Sequence, residues 1–273
     1  MPELPEVETT CRGIAPYSEQ KIIQDVIIRD HRLRWPVDAE LPKILRLQTI
    51  VKISRRAKYL VLDFDHGSLL VHLGMSGSFR VLKKGKITEP EKHDHIDVVL
   101  ETGDILRYND PRRFGSFIWT QAPVSEHALI SHLGPEPLSD EFTADYLFTK
   151  SRKKTVPAKS WIMDSKVVVG VGNIYANESL FNARIHPLKK AGKLTRKDCE
   201  RWVLEIKEIL YYAIQRGGTT LRDFVGGDGK PGYFAQELAV YGHGGEPCKC
   251  CGKPLSERRI AQRATVYCTR CQK

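Results

Sequence analysis

The last 26 residues hold five of the chain's seven cysteines. Four of the five stand as two C-x₂-C pairs, Cys248–Cys251 and Cys268–Cys271, with sixteen residues between them. Two pairs at that interval can ride on tight turns and close one tetrahedron of thiolates around a zinc ion. Cys250 is the spare, because a pair using it has the wrong internal spacing. Four thiolates leave no open coordination position, so the expected ion is structural and activates no water. It would hold a small β-hairpin at about 256–267 carrying Arg258, Arg259 and Arg263. Arginines on a rigid ribbon suit phosphate, although a solvated basic hairpin would look the same.

The whole chain is basic, with a net charge of +10 over 273 residues. That excess points to a polyanionic partner, most simply nucleic acid. A hydrophobic fraction of 41% fills real cores, and the length suits two domains better than one. No stretch approaches a membrane span, and the acidic N-terminus does not read as a signal peptide. The expected location is the cytoplasm, where clustered cysteines argue for metal over disulfides.

The N-terminus reads Met-Pro-Glu-Leu-Pro-Glu-Val-Glu. Removal of Met1 would leave Pro2 with a free secondary amine, able to attack an aldehyde carbon and form an iminium directly. Glu3 stands beside it to move protons. The plainer reading puts Pro2 and Pro5 in a first helical turn, where no N–H is needed. Leu4, Val7, Cys11 and Ile14 recur at helical spacing up to about Pro16, with Glu3, Glu6 and Thr10 on another face. Glu6 can thus stand near the N-terminal amine instead of in the core.

From Ile22 to about Thr120 the pattern changes to short β-rich runs: 22–28, 59–64, 68–73, 78–82, 96–100, 105–108 and 114–119. Hairpin turns at Asp65-His66-Gly67 and Thr102-Gly103 suggest antiparallel pairing in a sandwich or flattened barrel. Leu133–Ser139 (LGPEPLS) reads as an interdomain linker. Beyond it, helices are expected at 140–151, at 174–183, and after a Thr195/Asp198 capping box up to Gly217-Gly218. A glycine-rich loop, 226–232, is too long for a simple turn.

Val168-Val-Gly-Val-Gly-Asn-Ile-Tyr175 sets two glycines and Asn173 ahead of a helix, an arrangement that brings backbone N–H groups to an anion. Lys153, Lys154 and Lys159 could deepen the same positive site. Met75 between glycines (HLGMSG) and Arg112 with Phe114 (DPRRFG) are ordinary core and turn residues on most chains. On a basic protein such loop-borne groups can also unstack a base step and fill the space that a flipped nucleotide leaves. Lys58 follows a basic cluster and is a candidate proton donor. His93 reads as a phosphate contact, since the His93/His95 pair has no third metal ligand.

With these pieces assembled, the chain resembles the bacterial formamidopyrimidine-DNA glycosylases, which remove oxidised purines such as 8-oxoguanine. The resemblance runs nearly the full length: PELPEVE at 2–8, RRAKYL at 55–60, HLGMSGS at 72–78, KHDH at 92–95, DPRRFG at 110–115, VVGVGNIYA at 168–176, DGKPGYF at 228–234 and QRATVYC at 262–268. It implies an α+β fold. A leading helix and β-sandwich domain (1–132) would be followed by a linker and first helix (133–150). A helix–two-turn–helix domain (151–238) and a C-terminal zinc-ribbon finger (239–273) would complete it, with DNA in the cleft between domains.

The resemblance also implies roles. Pro2 would attack C1′ of the damaged nucleotide, Glu3 would assist ring opening or base departure, and Glu6 would support it. Lys58 would donate a proton linked to β-elimination, and Arg263 would act at δ-elimination or hold phosphate. Met75, Arg112 and Phe114 would intercalate. His93, Lys153, Asn173 and Lys159 would contact phosphate, and the segment 222–233 would close on the everted base. The expected cofactor is one structural zinc ion and the expected partner is double-stranded DNA with oxidised bases or abasic sites. A monomer on the bacterial nucleoid is the implied setting. Rival readings are a sibling enzyme acting on oxidised pyrimidines, a non-catalytic DNA-binding protein, and a proline-dependent tautomerase, which would leave ribbon and wedge unexplained.

Overall fold

A computed structural model describes residues 2–218 and 237–273. The glycine-rich loop expected at 226–232, and the wider segment 222–233, lie outside the described residues. The chain separates into two compact units, Met1–Ser131 with Arg216–Ala235, and His132–Gln215 with Gln236–Lys273.

The first unit opens with helix α1 (Leu4–Ser18). Glu3 caps it in a reciprocal box: its carboxylate accepts the Glu6 N–H, and Glu6 Oε2 accepts the Glu3 N–H at 2.8 Å. The helix runs on through Pro16 to Ser18, two residues beyond the expected stop. Pro16 sits in the last turn, the Glu19 N–H closes on the Ala15 carbonyl, and Ser18 Oγ donates to Ile14 O. Strand β1 (Lys21–Ile28) leads to a short helix α2 (Leu41–Leu45) and to strands β2 (Thr49–Ile50), β3 (Lys52–Arg56), β4 (Tyr59–Phe64) and β5 (Gly67–His72). Strands β6 (Ser78–Leu82), β7 (Asp94–Leu100), β8 (Ile105–Asn109) and β9 (Ser116–Thr120) complete the unit.

All these strands pair antiparallel in two sheets, ordered β2-β1-β7-β8-β6 and β3-β4-β5-β9. Alternation puts Ile96, Val98 and Leu100 of the first sheet, and Leu60, Leu62, Leu69 and Val71 of the second, into one shared core. The apolar face of α1 (Val7, Cys11, Ile14) closes its end. Strands β2 and β3 and helix α2 escape the sequence reading. Lys52–Arg56 is too charged to show alternation, and a five-residue helix shows no period.

The second unit contains α3 (Ala144–Ser151), α4 (Ala158–Ile162), α5 (Asn173–Asn182) and α6 (Arg196–Gln215). Helix α3 starts four residues later than expected, because Thr143 is its N-cap and its hydroxyl accepts the Tyr146 N–H. The Thr195/Asp198 capping box forms as expected, with both reciprocal hydrogen bonds present. Gly217 and Gly218 lie at φ 74° and 78°, the left-handed region that ends a helix. Trp202 of α6 is fully buried and donates to Ser179 of α5, locking the two helices together. The chain ends in hairpin β10 (Ser256–Ile260) and β11 (Arg263–Tyr267), turned by Ala261 and Gln262 at positive φ.

Candidate active site and zinc centre

Pro2, Glu3 and Glu6 are all buried, Glu3 at 2% exposure and Glu6 at 0%. Carboxylates are seldom placed so without partners, and the reciprocal cap supplies one to each. Glu6 also packs directly under Gly218, where an added Cβ would come within 3.0 Å of its carboxylate. Two residues further on, Glu8 accepts from Arg55 of β3 at 2.9 Å, and Arg55 in turn donates to the Ala57 carbonyl. The helix that opens at Pro2 is thereby tied to the two-residue turn, Ala57-Lys58, that carries the half-buried Lys58.

Lys58 also bears electrostatically on His72. Burial first, then the charges of Lys58 and Arg34, hold the His72 imidazole down to about 4. Tyr59 packs on the same ring at 4.9 Å, and His72 Nδ1 accepts the Gly74 N–H at 2.9 Å. From His72 the chain enters the loop that carries Met75.

That loop and the Arg112–Phe114 loop are held together by one buried residue, Asp110. Its carboxylate accepts from Ser76 Oγ at 2.7 Å, Tyr108 OH at 3.1 Å and the Gly115 N–H at 2.9 Å. Its backbone reaches His93 and His95: the Asp110 N–H donates to His93 O, and Asp110 O lies 2.9 Å from His95 Nε2. Ser76 Oγ accepts the Arg112 N–H in addition. The loops approach so closely that a Cβ on Gly74 would lie 2.4 Å from the Phe114 backbone. Arg112 stacks over the exposed Phe114 ring at 5.0 Å, and Met75, on the other loop, is half-buried. His93 is half-buried next to this hub. Among the described residues neither His93 nor His95 belongs to a potential metal cluster.

In the second unit, Asn173 is the first residue of α5, and Gly172 supplies the cap position without a side chain. Asn173 Oδ1 is buried and lacks a hydrogen-bond partner among the described residues. Lys153 is exposed at a left-handed backbone position beside Gly192. Lys159 is different. It is 2% exposed, and its ammonium donates to Ala264 O and Thr265 Oγ1, each at 2.7 Å. The expectation of a surface phosphate contact is corrected here: the lysine is an internal strut between α4 and β11, the strand whose exposed first residue is Arg263.

The four cysteine sulfurs of 248, 251, 268 and 271 lie within 4.8 Å of one another, with Cys248–Cys271 at 3.9 Å and Cys251–Cys268 at 3.5 Å. Tetrahedral Zn–S bonds of about 2.3 Å require sulfurs about 3.8 Å apart, so this donor set suits one zinc ion. The Cys271 N–H also points at Cys268 Sγ, as a thiolate ligand favours. Cys250 is exposed and stands outside the set.

Helix α5 carries the finger. The Glu178 carboxylate, 2% exposed, accepts three successive backbone N–H groups, from Ala239, Val240 and Tyr241, at 2.7–2.9 Å. Asn177 Oδ1 accepts the Val266 N–H of β11 at 2.9 Å. Neither residue was singled out from the sequence, where both look like the polar face of an ordinary helix. For Asp110 a signal existed: an Asp directly before Pro in a short polar turn is often a hydrogen-bond hub.

Three family models match in order: the formamidopyrimidine-DNA glycosylase N-terminal domain at 1–117, its H2TH domain at 133–225, and the zinc finger found in FPG and IleRS at 245–273. The chain belongs to the formamidopyrimidine-DNA glycosylase family. It is 59% identical over 273 residues to the glycosylase of Saccharophagus degradans and 60% identical over 274 to that of Teredinibacter turnerae, with both chains fully covered in each case. Among solved structures, a Lactococcus lactis family member in complex with a Fapy-dG-containing DNA matches with TM-score 0.92 at 33% identity, covering all of both chains. The Thermus thermophilus protein matches with TM-score 0.88 at 37% identity, covering 99% of this chain and 98% of that one. As a family member the chain is a DNA glycosylase with the expected α+β architecture: helix-led sandwich, helix–two-turn–helix domain and zinc finger. Among the described residues no helix is long and apolar enough to cross a membrane.

Proposed function

We propose that this chain excises oxidised purines from duplex DNA and cuts the resulting abasic strand, through a Schiff base on Pro2. The observation that carries the reading is the reciprocal cap at residue 3: a buried proline followed by two buried carboxylates, each accepting the other residue's backbone N–H. With Met1 removed, the Pro2 nitrogen is a secondary amine. It attacks C1′, the bond to the damaged base breaks, and the base leaves with a proton. Glu3 delivers a proton to O4′ as the C1′–O4′ bond opens, leaving a cationic iminium between Pro2 and C1′. Glu6 fixes the orientation of Glu3.

The iminium makes the C2′ proton acidic. Its loss expels the 3′ phosphate, and loss of a C4′ proton then expels the 5′ phosphate. Lys58 is assigned the proton transfer of the first elimination, and Arg263 the phosphate of the second. Met75, Arg112 and Phe114 would fill the stack after base eversion, which costs a few kcal/mol. The close Asp110-centred packing of their two loops supports that role. His93, Lys153 and Asn173 would take backbone phosphates. Asn173 would offer its amide N–H₂ to a phosphate, its Oδ1 being buried and without a partner among the described residues. The zinc ion supplies no chemistry beyond holding the finger.

Catalysis would then belong to residues 1–132, phosphate contacts largely to 151–238, and the δ-elimination arginine to the finger, 239–273, with 133–150 as connection. The family members solved with Fapy-dG and with abasic DNA support the substrate class. The setting would be the bacterial cytoplasm. The test is borohydride reduction on an 8-oxoguanine duplex. Native protein should form a covalent adduct and N-terminally acetylated protein should form none, and equal trapping in both would remove Pro2 from the mechanism. Excision of 8-oxoguanine well above thymine glycol is the outcome that fixes the substrate branch.

A further inference from the structure

At the end of α5 remote from Asn173, a recess of about 830 Å³ opens between the zinc-finger knuckles and the first turns of α6. Five cationic side chains line it, Arg184, Lys189, Arg201, Arg270 and Lys273, beside the Asp198 carboxylate, the spare Cys250 and two of the zinc ligands, Cys251 and Cys271. Asp198 is already shared, at 2.8 Å with Lys189 and 2.6 Å with Arg201. Among the described residues, Arg184, Arg270 and Lys273 have no carboxylate within ion-pair distance. Two of the cations are set in place before any ligand arrives: Asp198 holds both Lys189 and Arg201, and Arg201 also donates to the Ala183 carbonyl.

Gathering like charges around a concave wall raises the local potential, and the natural relief is a multivalent anion. We infer that this recess binds a compact polyphosphate, such as the triphosphate of a nucleotide. Its volume falls in the range of small-molecule sites, about 300–1,000 Å³. It is also separate from the groups to which DNA phosphates are assigned above. The ten residues of α5 put about 15 Å between Asn173 and its far end. The five residues of β11 put about 17 Å between Arg263 and the knuckle at Cys268. A second, smaller recess of about 390 Å³ shares Arg184, Cys250 and Cys271 with the first and is lined further by Phe181, Asn182 and Glu205, giving room for the rest of a nucleotide. The spare thiol of Cys250 lines both and serves as a built-in reporter.

The test uses the full-length, zinc-loaded protein with tripolyphosphate and ATP as probes. Calorimetry should show one-to-one binding, and either probe should slow alkylation of Cys250 as read by peptide mass spectrometry. The Arg184→Ala/Arg270→Ala double variant, with zinc content verified, should lose at least about tenfold in affinity for both probes. Its affinity for an undamaged duplex should stay within about twofold. Equal probe affinity in the double variant overturns the site, as does failure of either probe to bind at millimolar concentration. Stoichiometric displacement of tripolyphosphate by duplex also overturns it, since the recess would then be part of the DNA surface.

Discussion

The Ser76 hydroxyl donates to Asp110 Oδ1 at 2.7 Å across 34 residues of chain, and that bond joins the loop of Met75 to the loop of Arg112 and Phe114. Ser76 Oγ accepts the Arg112 N–H as well, so one side chain fixes both loops. Ser76→Ala should cost about 1–2 kcal/mol in stability, and Asp110→Asn, which sets an amide N–H₂ against existing donors, about 2–4 kcal/mol. Ser76→Ala should also lower excision of 8-oxoguanine from intact duplex more than it lowers cutting of a preformed abasic site. Only the former requires the base to be turned out. Equal losses in the two assays would mean that the loops do not act in eversion.

Glu3 and Glu6 can be separated by amide substitution. Gln at the third helical position keeps a capping box, so Glu6→Gln should unfold within about 1 kcal/mol of the parent. Glu3→Gln keeps an acceptor for the helix but has no proton to give. It should reduce base excision by about 10²–10⁴, the range of a positioned general acid. Single-turnover excision alongside urea denaturation reads both. Near-native excision by Glu3→Gln would end its assignment as proton carrier.

The pH response of the first unit should carry the signature of His72. Folded, its imidazole resists protonation until about pH 4, because of burial and then Lys58 and Arg34. Unfolded, it titrates near 6.5. Between those values the unfolded chain binds a proton that the folded one does not. Stability therefore falls as pH drops from about 6.5 toward 4, by at most about 3 kcal/mol, and is unaffected by this group above about pH 7.5. His72→Asn can still accept the Gly74 N–H but does not titrate. Urea midpoints followed from pH 7.5 to 4 should decline less steeply in that variant, and parallel curves would contradict the account.

Two lysines six residues apart should fail in different ways. Lys153→Ala, at an exposed position, should weaken duplex binding and reduce the salt slope of log K by about one. Lys159→Met should leave that slope nearly unchanged and instead loosen the hairpin, seen as faster hydrogen exchange at Ala264–Tyr267 and easier zinc loss to a chelator. A salt slope reduced by Lys159→Met would return that residue to the surface.

Much of this molecule is legible in its sequence, for identifiable reasons. Zinc ligands announce themselves because four thiolates must recur on two tight turns. Most sandwich strands are short β-rich runs bounded by turn residues, and are placed within two residues. The capping box of α6 is spelled out in Thr195 and Asp198. What stays hidden depends on partners remote in the chain. Strand β3 is charged because Arg55 reaches back 47 residues to Glu8. Lys159 looks like one more lysine of a basic run until β11, 105 residues away, supplies acceptors for its ammonium. Glu178 is unremarkable on its helix until three amides from 239–241 arrive at its carboxylate.

Helix α5 holds Asn173 at its first turn and grips the finger through Asn177 and Glu178 little more than one turn later. Successive helical residues are rotated by about 100°. One residue inserted between Asn173 and Asn177 would swing the two grips a quarter-turn and more away from the face that bears Asn173. No side-chain repacking could restore both. Substitutions along this stretch can be absorbed singly, whereas a change in its length cannot, so the helix acts as a fixed gauge between glycine loop and zinc ribbon.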